Sequence, residues 1–187
     1  MVLPIHETFY IEVLAYHTTA IVEHTTRVNL ELQEMANNKR RRPVQQVAES
    51  LLNALQDIIS HAASISRYFL PVRKNAEHLE RGELLRSVYA VDESSPLCNR
   101  GVRNAIEHFD EKLDTFLASF PTGTIYPSYV GSRHKISGNN VHCFRAYFVD
   151  EQVFKILDAE IYMPPVIDEV KRIQGLLVSQ IDNGLRF

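Results

Sequence analysis

Apolar side chains recur at three- and four-residue steps through four successive segments of the first 120 residues. The segments are 5–35, 44–70, 75–91 and 97–120. This spacing puts the apolar side chains on one face of an α-helix, and short links favour antiparallel neighbours. The segment 44–70 is apolar on so much of its surface that a largely buried helix is predicted. The pattern therefore predicts a mainly α protein with an up-and-down helical bundle.

The rest of the chain predicts a smaller β element. A two-residue alternation at 141–148, a turn at 149–152 and a return strand from Val153 to Leu157 indicate a β-hairpin. The preceding stretch, rich in Gly, Pro, Ser and Asn, has two interpretations. It is either a flap that brings cations and aromatic faces to a ligand or a surface excursion.

With 187 residues, 45% of them apolar, the chain is long enough for one domain with a sizeable core. We interpret residues 1–187 as a single domain in four parts. These are a four-helix core (1–120), a long loop (121–141), a small C-terminal β-hairpin (142–161) and a final helix (162–182).

Charge and cysteine content restrict the function. The net charge is −3, which excludes a globally basic nucleic-acid binder, so any RNA site must be a local patch. Two isolated cysteines, Cys98 and Cys143, fit a reducing compartment better than a disulfide framework. The first residues lack a secretory leader, and no apolar run approaches the ~18 residues of a membrane span. We therefore expect a cytoplasmic protein with no membrane contact.

The fourth helical segment carries an arginine and a histidine five residues apart. They are the ends of the sequence Arg103-Asn104-Ala105-Ile106-Glu107-His108. On a helix, Arg103 and His108 lie roughly 140° apart around the axis and about 7.5 Å apart along it. They therefore flank one surface, which suits a site completed by a second helix.

This pattern resembles the RNA-cleaving motif of the HEPN-domain family, an arginine and a polar residue followed by three residues and a histidine. The continuation Phe109-Asp110-Glu111-Lys112-Leu113-Asp114 is similar to bacterial HEPN-like proteins. The resemblance covers chiefly residues 1–120. It implies an all-helical bundle that forms a homodimer and cleaves RNA without a metal or cofactor. The implied catalytic residues are Arg103, Asn104 and His108, and the implied setting is a toxin or anti-phage effector, with an antitoxin protein as a candidate partner.

Elementary chemistry agrees with these residue types. Histidine titrates near neutral pH and can transfer protons, whereas arginine stays charged and presents a planar fork to phosphate oxygens. Other cations are candidates for binding the RNA backbone. They are Arg40, Arg41 and Arg42 in the loop after the first helix, and Arg133 and Lys135 in the long loop. The first three could equally form a solvated loop or offset the dipole of the first helix.

Several alternatives stay open. Glu107 could neutralise Arg103 and leave an inactive scaffold, or raise the pKa of His108 and favour a general acid. His17 and His24, seven residues apart, are either a metal or acid–base pair or polar histidines with hydrogen-bond partners. The rival functions are a catalytically inactive HEPN-like module that binds nucleotide, RNA or a partner, and a plain helical interaction protein.

Overall fold

The computed structural model describes residues 4–37, 42–99, 101, 104, 109–119, 122–136, 141–184 and 187. These residues form five α-helices and one four-stranded sheet. The predicted predominance of helix is confirmed. The predicted strand content is wrong, because the small hairpin is replaced by a mixed sheet.

Helices α1 (Pro4–Ala36) and α2 (Val44–Phe69) form an antiparallel pair. His17 contacts His61, whereas Glu31 contacts Ser50, so positions later in α1 meet positions earlier in α2. The side chains between the two helices are fully buried. They include Ile11, Leu14, Ile21, Leu51, Leu55, Ile58 and Ile65.

Helix α3 (Ala76–Val88) packs closely against the end of α2. Its first turn is capped by Asn75, whose side-chain oxygen accepts a hydrogen bond from the backbone N–H of His78 at 3.1 Å. A Cβ atom at Gly82 would lie 2.9 Å from the Phe69 carbonyl oxygen and 2.9 Å from Pro71 Cδ. Glycine at this position therefore permits the close approach of α3 to the α2 terminus.

The predicted fourth helix, 97–120, is described only in part. A 3₁₀ turn covers Pro96–Cys98, Gly101 and Asn104 are helical, and α4 spans Phe109–Ser119. Within α4, Phe116 is buried, but Leu117 is 51% exposed although the predicted stripe includes it. None of the described α4 residues belongs to the main core.

The final helix, α5 (Met163–Asp182), packs along α1 instead. Its buried face consists of Val166, Val170, Ile173 and Leu177. Pro164 and Pro165 lie in its first turn, where the absent N–H groups have no intrahelical partner to lose. The main core therefore contains side chains of the final helix together with those of α1 and α2.

The sheet has the strand order β1 (Thr124–Gly131), β2 (Val141–Phe148), β3 (Val153–Ile156) and β4 (Ala159–Tyr162). β1 and β2 are parallel, with Thr124 opposite Val141 and Gly131 opposite Phe148. The other two pairings are antiparallel. β1 therefore lies within the segment 121–141 that was predicted as a loop, and β4 is a strand that the hairpin interpretation missed.

Local composition explains both errors. Pro127 made β1 look like a loop, yet β1 is an edge strand, where proline can face away from its neighbour. Pro127 has no partner in the register with β2. The turn into β4 contains Leu157 at a φ of 52°. Leucine rarely adopts this left-handed conformation, so its presence at this position does not indicate a turn.

One face of the sheet contributes to the main core through Tyr147, Phe154, Ile156 and Ile161. A polar contact also ties β2 to α2. The Arg145 guanidinium donates hydrogen bonds to Glu49 and Asn53 at 2.8 Å, and to Gln56 at 3.1 Å. None of the described helices has a stretch that is long and apolar enough to cross a bilayer.

Candidate functional site

The structure describes one of the three predicted catalytic residues of the segment 103–108. Asn104 is helical and exposed. It lines an open groove of about 470 Å³ between α4 and the β3–β4 turn. Lys112 and Thr115 of α4 form one wall, and Leu157 and Asp158 form the other. Arg103 and His108 lie outside the described residues.

A second groove, of about 460 Å³, shares Gly101 with the first. It runs between the 3₁₀ turn and the junction of β4 with α5, and its lining includes Ser95, Pro96, Tyr162 and Pro165. Gly101, two residues before the motif, therefore lines both grooves.

The described walls of both grooves carry more carboxylates than cations. Glu111 and Asp158 accompany Lys112 in the first groove, and Glu93 and Glu160 line the second. Hydrogen bonding to Arg133 lowers the pKa of Glu160, so this carboxylate stays ionised. Excess negative charge opposes the approach of a polyanion, so these walls do not by themselves attract RNA.

Arg42, predicted to bind substrate, is held by two carboxylates of α1. Its guanidinium donates to Glu34 at 2.6 Å and also contacts Glu31, which is only 5% exposed. Hydrogen bonds to Glu34 and Glu31 raise the pKa of Arg42. This arginine secures the end of α1 to the start of α2. Arg40 and Arg41 lie outside the described residues.

Arg133, also predicted to bind substrate, connects three parts of the sheet region. It forms ion pairs with Glu151 at 2.8 Å and with Glu160 at 2.9 Å. Its guanidinium carbon lies 3.8 Å from the centroid of the Phe148 ring. Hydrogen bonds to Glu160 and Glu151 raise its pKa. Lys135, in the same 3₁₀ turn (Arg133–Ile136), is exposed.

His61 of α2 lies beside His17 and His24, which were predicted to share one face of the first helix. Nδ1 of His17 lies 2.9 Å from Nδ1 of His61, and the His24 ring stacks on His61 with centroids 6.0 Å apart. Nδ1 of His24 lies 3.7 Å from a carboxylate oxygen of Asp57. In the described part of the chain, no three His, Cys, Asp or Glu side chains converge in a way that could hold a metal ion.

Burial disfavours charge on the two contacting histidines. It lowers the pKa of His17, and nearby His61 lowers it further. Burial also lowers the pKa of His61, where His24 adds to the effect and Asp57 opposes it. Sequence spacing could indicate the shared face of His17 and His24, but the contact with His61 depends on how α1 and α2 align.

No protein-family model, curated protein sequence or solved structure matches this chain. The function must therefore be argued from the residues of the chain itself.

Proposed function

We propose that this protein is a homodimeric, metal-independent endoribonuclease of HEPN type that acts in the cytoplasm as a toxin or anti-phage effector. The observation that carries the proposal is the sequence Arg103-Asn104-Ala105-Ile106-Glu107-His108, whose described member Asn104 is exposed at an open groove. Exposure at a groove is what a substrate-contacting side chain requires. An antitoxin protein is the proposed regulatory partner.

In this proposal the RNA supplies its own nucleophile. His108 removes the proton from a 2′-hydroxyl or delivers one to the leaving 5′-oxygen. Arg103 binds the phosphate oxygens and stabilises the charge that develops on them. Asn104 orients the histidine or a phosphate oxygen. The products are a 2′,3′-cyclic phosphate and a 5′-hydroxyl, and no metal is needed to activate water.

The proposed dimer is what the resemblance to the HEPN family implies, and the helical spacing of the motif suits it. Arg103 and His108 flank one helix surface at roughly 140° around the axis, so two antiparallel copies would bring two cations and two imidazoles to one groove. Of the cations predicted to bind RNA, Arg42 and Arg133 contribute little, because both already bind carboxylates. Lys135, with Arg40 and Arg41, remains the proposed contact set for the RNA backbone.

The direct test is cleavage of RNA by the purified protein in EDTA. Arg103→Ala and His108→Ala are each expected to reduce the rate by about 100-fold or more. Arg73→Ala and His78→Ala are matched controls, since they remove the same residue types from surface positions outside the motif. RNA with a 2′-deoxy group at the cleaved position should resist cleavage, because it lacks the nucleophile.

Equal rates for wild-type protein and both motif variants would contradict the proposal and indicate a contaminating nuclease. Loss of activity in EDTA that divalent metal restores would contradict the metal-independent mechanism. A monomer in sedimentation measurements would contradict the composite site.

The second candidate function is a catalytically inactive HEPN-like module that binds nucleotide, RNA or a protein partner. The carboxylates in the described walls of both grooves favour it, because they repel a phosphate backbone. This candidate predicts a stable dimer that does not cleave RNA under any condition of the same assay.

A further inference from the structure

A separate pocket opens where α1, α2 and α3 meet. Its volume is about 300 Å³, at the small end of the range for small-molecule sites. The described lining residues are His17, Ser64, Arg67, Tyr68 and Arg81. None of them belongs to the motif segment or to the sheet, so the pocket is distinct from the two grooves above.

Arg81 enters this pocket with unused hydrogen-bonding capacity. Its Nη2 donates to the backbone carbonyl of Arg67 at 3.2 Å, and its guanidinium carbon lies 5.3 Å from the Tyr68 ring centroid. Its Nε–H is buried and has no hydrogen-bond partner in the described part of the chain. Arginine has five N–H donors in a planar fork, so an acceptor in the pocket can bind the guanidinium of the Arg81 side chain that lines it.

The contact between His17 and His61 determines where His17 carries its proton. Only one of the two Nδ1 atoms, 2.9 Å apart, can hold the shared hydrogen. Burial and nearby His24 lower the pKa of His61, and Asp57, one turn earlier on α2, opposes them. With the shared hydrogen on His61, His17 accepts at Nδ1 and carries its own N–H on Nε2, so that its imidazole can donate a hydrogen bond to a ligand.

The described lining therefore contains imidazole, guanidinium and hydroxyl groups from three helices and no carboxylate. A carboxylate ligand has two oxygens in one plane, which match a single guanidinium fork. A phosphate monoester has three strongly accepting oxygens and up to two negative charges. It can accept hydrogen bonds from donors that converge from different directions.

We propose that this pocket binds the phosphate group of a small phosphate monoester, with Arg81 and His17 as its principal donors. The pocket volume exceeds that of a bare phosphate, which leaves room for a small organic substituent next to Tyr68. This proposal does not depend on the ribonuclease proposal, because its test measures ligand binding without RNA.

The test is calorimetric titration of the full chain with inorganic phosphate, AMP and acetate, each against chloride at matched ionic strength. Saturable binding is expected for phosphate or AMP, and at least about tenfold weaker binding for acetate. AMP should bind more tightly than inorganic phosphate, because the proposed ligand is an ester. Equal or weaker binding of AMP would contradict the monoester and leave free phosphate as the ligand.

Two sets of variants connect the binding to this pocket. Arg81→Gln and His17→Gln should each weaken phosphate binding by about tenfold or more. Ser64→Asp should abolish it, because it adds a negative charge to the lining, whereas the size-matched Ser64→Asn should stay within about threefold of wild type. The Ser64 pair decides the matter if a variant of Arg81 fails to fold.

No saturable binding of phosphate or AMP above the chloride control would overturn the proposal. It would also be overturned by acetate binding as tightly as phosphate, or by equal phosphate affinity in Ser64→Asp and Ser64→Asn.

Discussion

Two regions of the molecule use arginine in opposite ways. Around Arg133, as around Arg42, each guanidinium is matched by two carboxylates, and both arginines serve as structural clamps. At the junction of α1, α2 and α3, Arg81 meets a backbone carbonyl and an aromatic ring, and the described pocket lining holds no carboxylate.

The comparison shows that the partners of an arginine determine its role more than its sequence neighbours do. Arg42 belongs to a run of basic residues, but Glu31 and Glu34 on α1 occupy its guanidinium. Arg81 lies in a charged segment in which we found no sequence motif. Its buried Nε–H nevertheless has no partner among the described residues. Each prediction below perturbs one side of this contrast.

The largest expected effect comes from Gly82→Ala, which would disturb the region around Arg81. The new Cβ would lie 2.9 Å from both the Phe69 carbonyl oxygen and Pro71 Cδ, so α3 must move away from α2. Overpacking of this kind costs about 1–3 kcal/mol, which urea denaturation measures as a lower midpoint. Phosphate affinity should fall as well, because Arg81 moves with α3.

Gly175→Ala is the matched control, because it makes the same change inside helix α5, where a Cβ would meet nothing within 4 Å. It should stabilise the protein by about 0.5–1 kcal/mol, the usual helix preference of alanine over glycine. Equal effects of the two substitutions would show that the close approach at Gly82 does not limit the packing of α3.

The next largest loss of stability is expected for Arg133→Ala, which removes one of the two structural arginines. Glu151 and Glu160 lose their shared cation, and Phe148 loses the guanidinium above its ring. Because the Arg133 side chain is about one-third exposed, we expect a loss of about 1 kcal/mol in the free energy of unfolding.

Lys135→Ala, in the same 3₁₀ turn but at an exposed position, should change stability by no more than about 0.5 kcal/mol. If both variants retain wild-type stability, Arg133 is not a clamp and returns to the set of candidate RNA contacts.

The helices were predictable from the sequence because helical periodicity is a local signal. The stripe over 44–70 predicts α2, and its predicted inward residues Leu51, Leu55 and Ile58 are buried. The sheet was not predictable in the same way. The partner of β1 is β2, in parallel register, and the pairing of Ile125 with His142 is not encoded in the pattern of either strand.

The two candidate sites also differ in how far the sequence predicts them. The motif at 103–108 can be read directly, because its residues are close together in the sequence. The pocket at the junction of three helices combines His17, Ser64 and Arg81, which are far apart in the chain. Their meeting depends on the alignment of α1 with α2 and on the close approach at Gly82, and no local pattern encodes either.

The smallest expected effect is a pH dependence of stability from the His17–His61 contact. Burial lowers the pKa of both imidazoles below the ordinary value of 6.5. As the pH falls through 6.5, the unfolded chain takes up protons that the native pair resists, so the free energy of unfolding decreases. His24 and Asp57 face the same pair, and the charge of Asp57 limits the decrease.

Chemical denaturation at a series of pH values from about 7.5 to 5 measures this slope. The double variant His17→Gln with His61→Gln should flatten it. Tyr16→Phe should not, because it keeps the ring beside both imidazoles and removes no histidine. If the free energy of unfolding of the double variant depends on pH as steeply as that of wild type, groups other than His17 and His61 take up the protons.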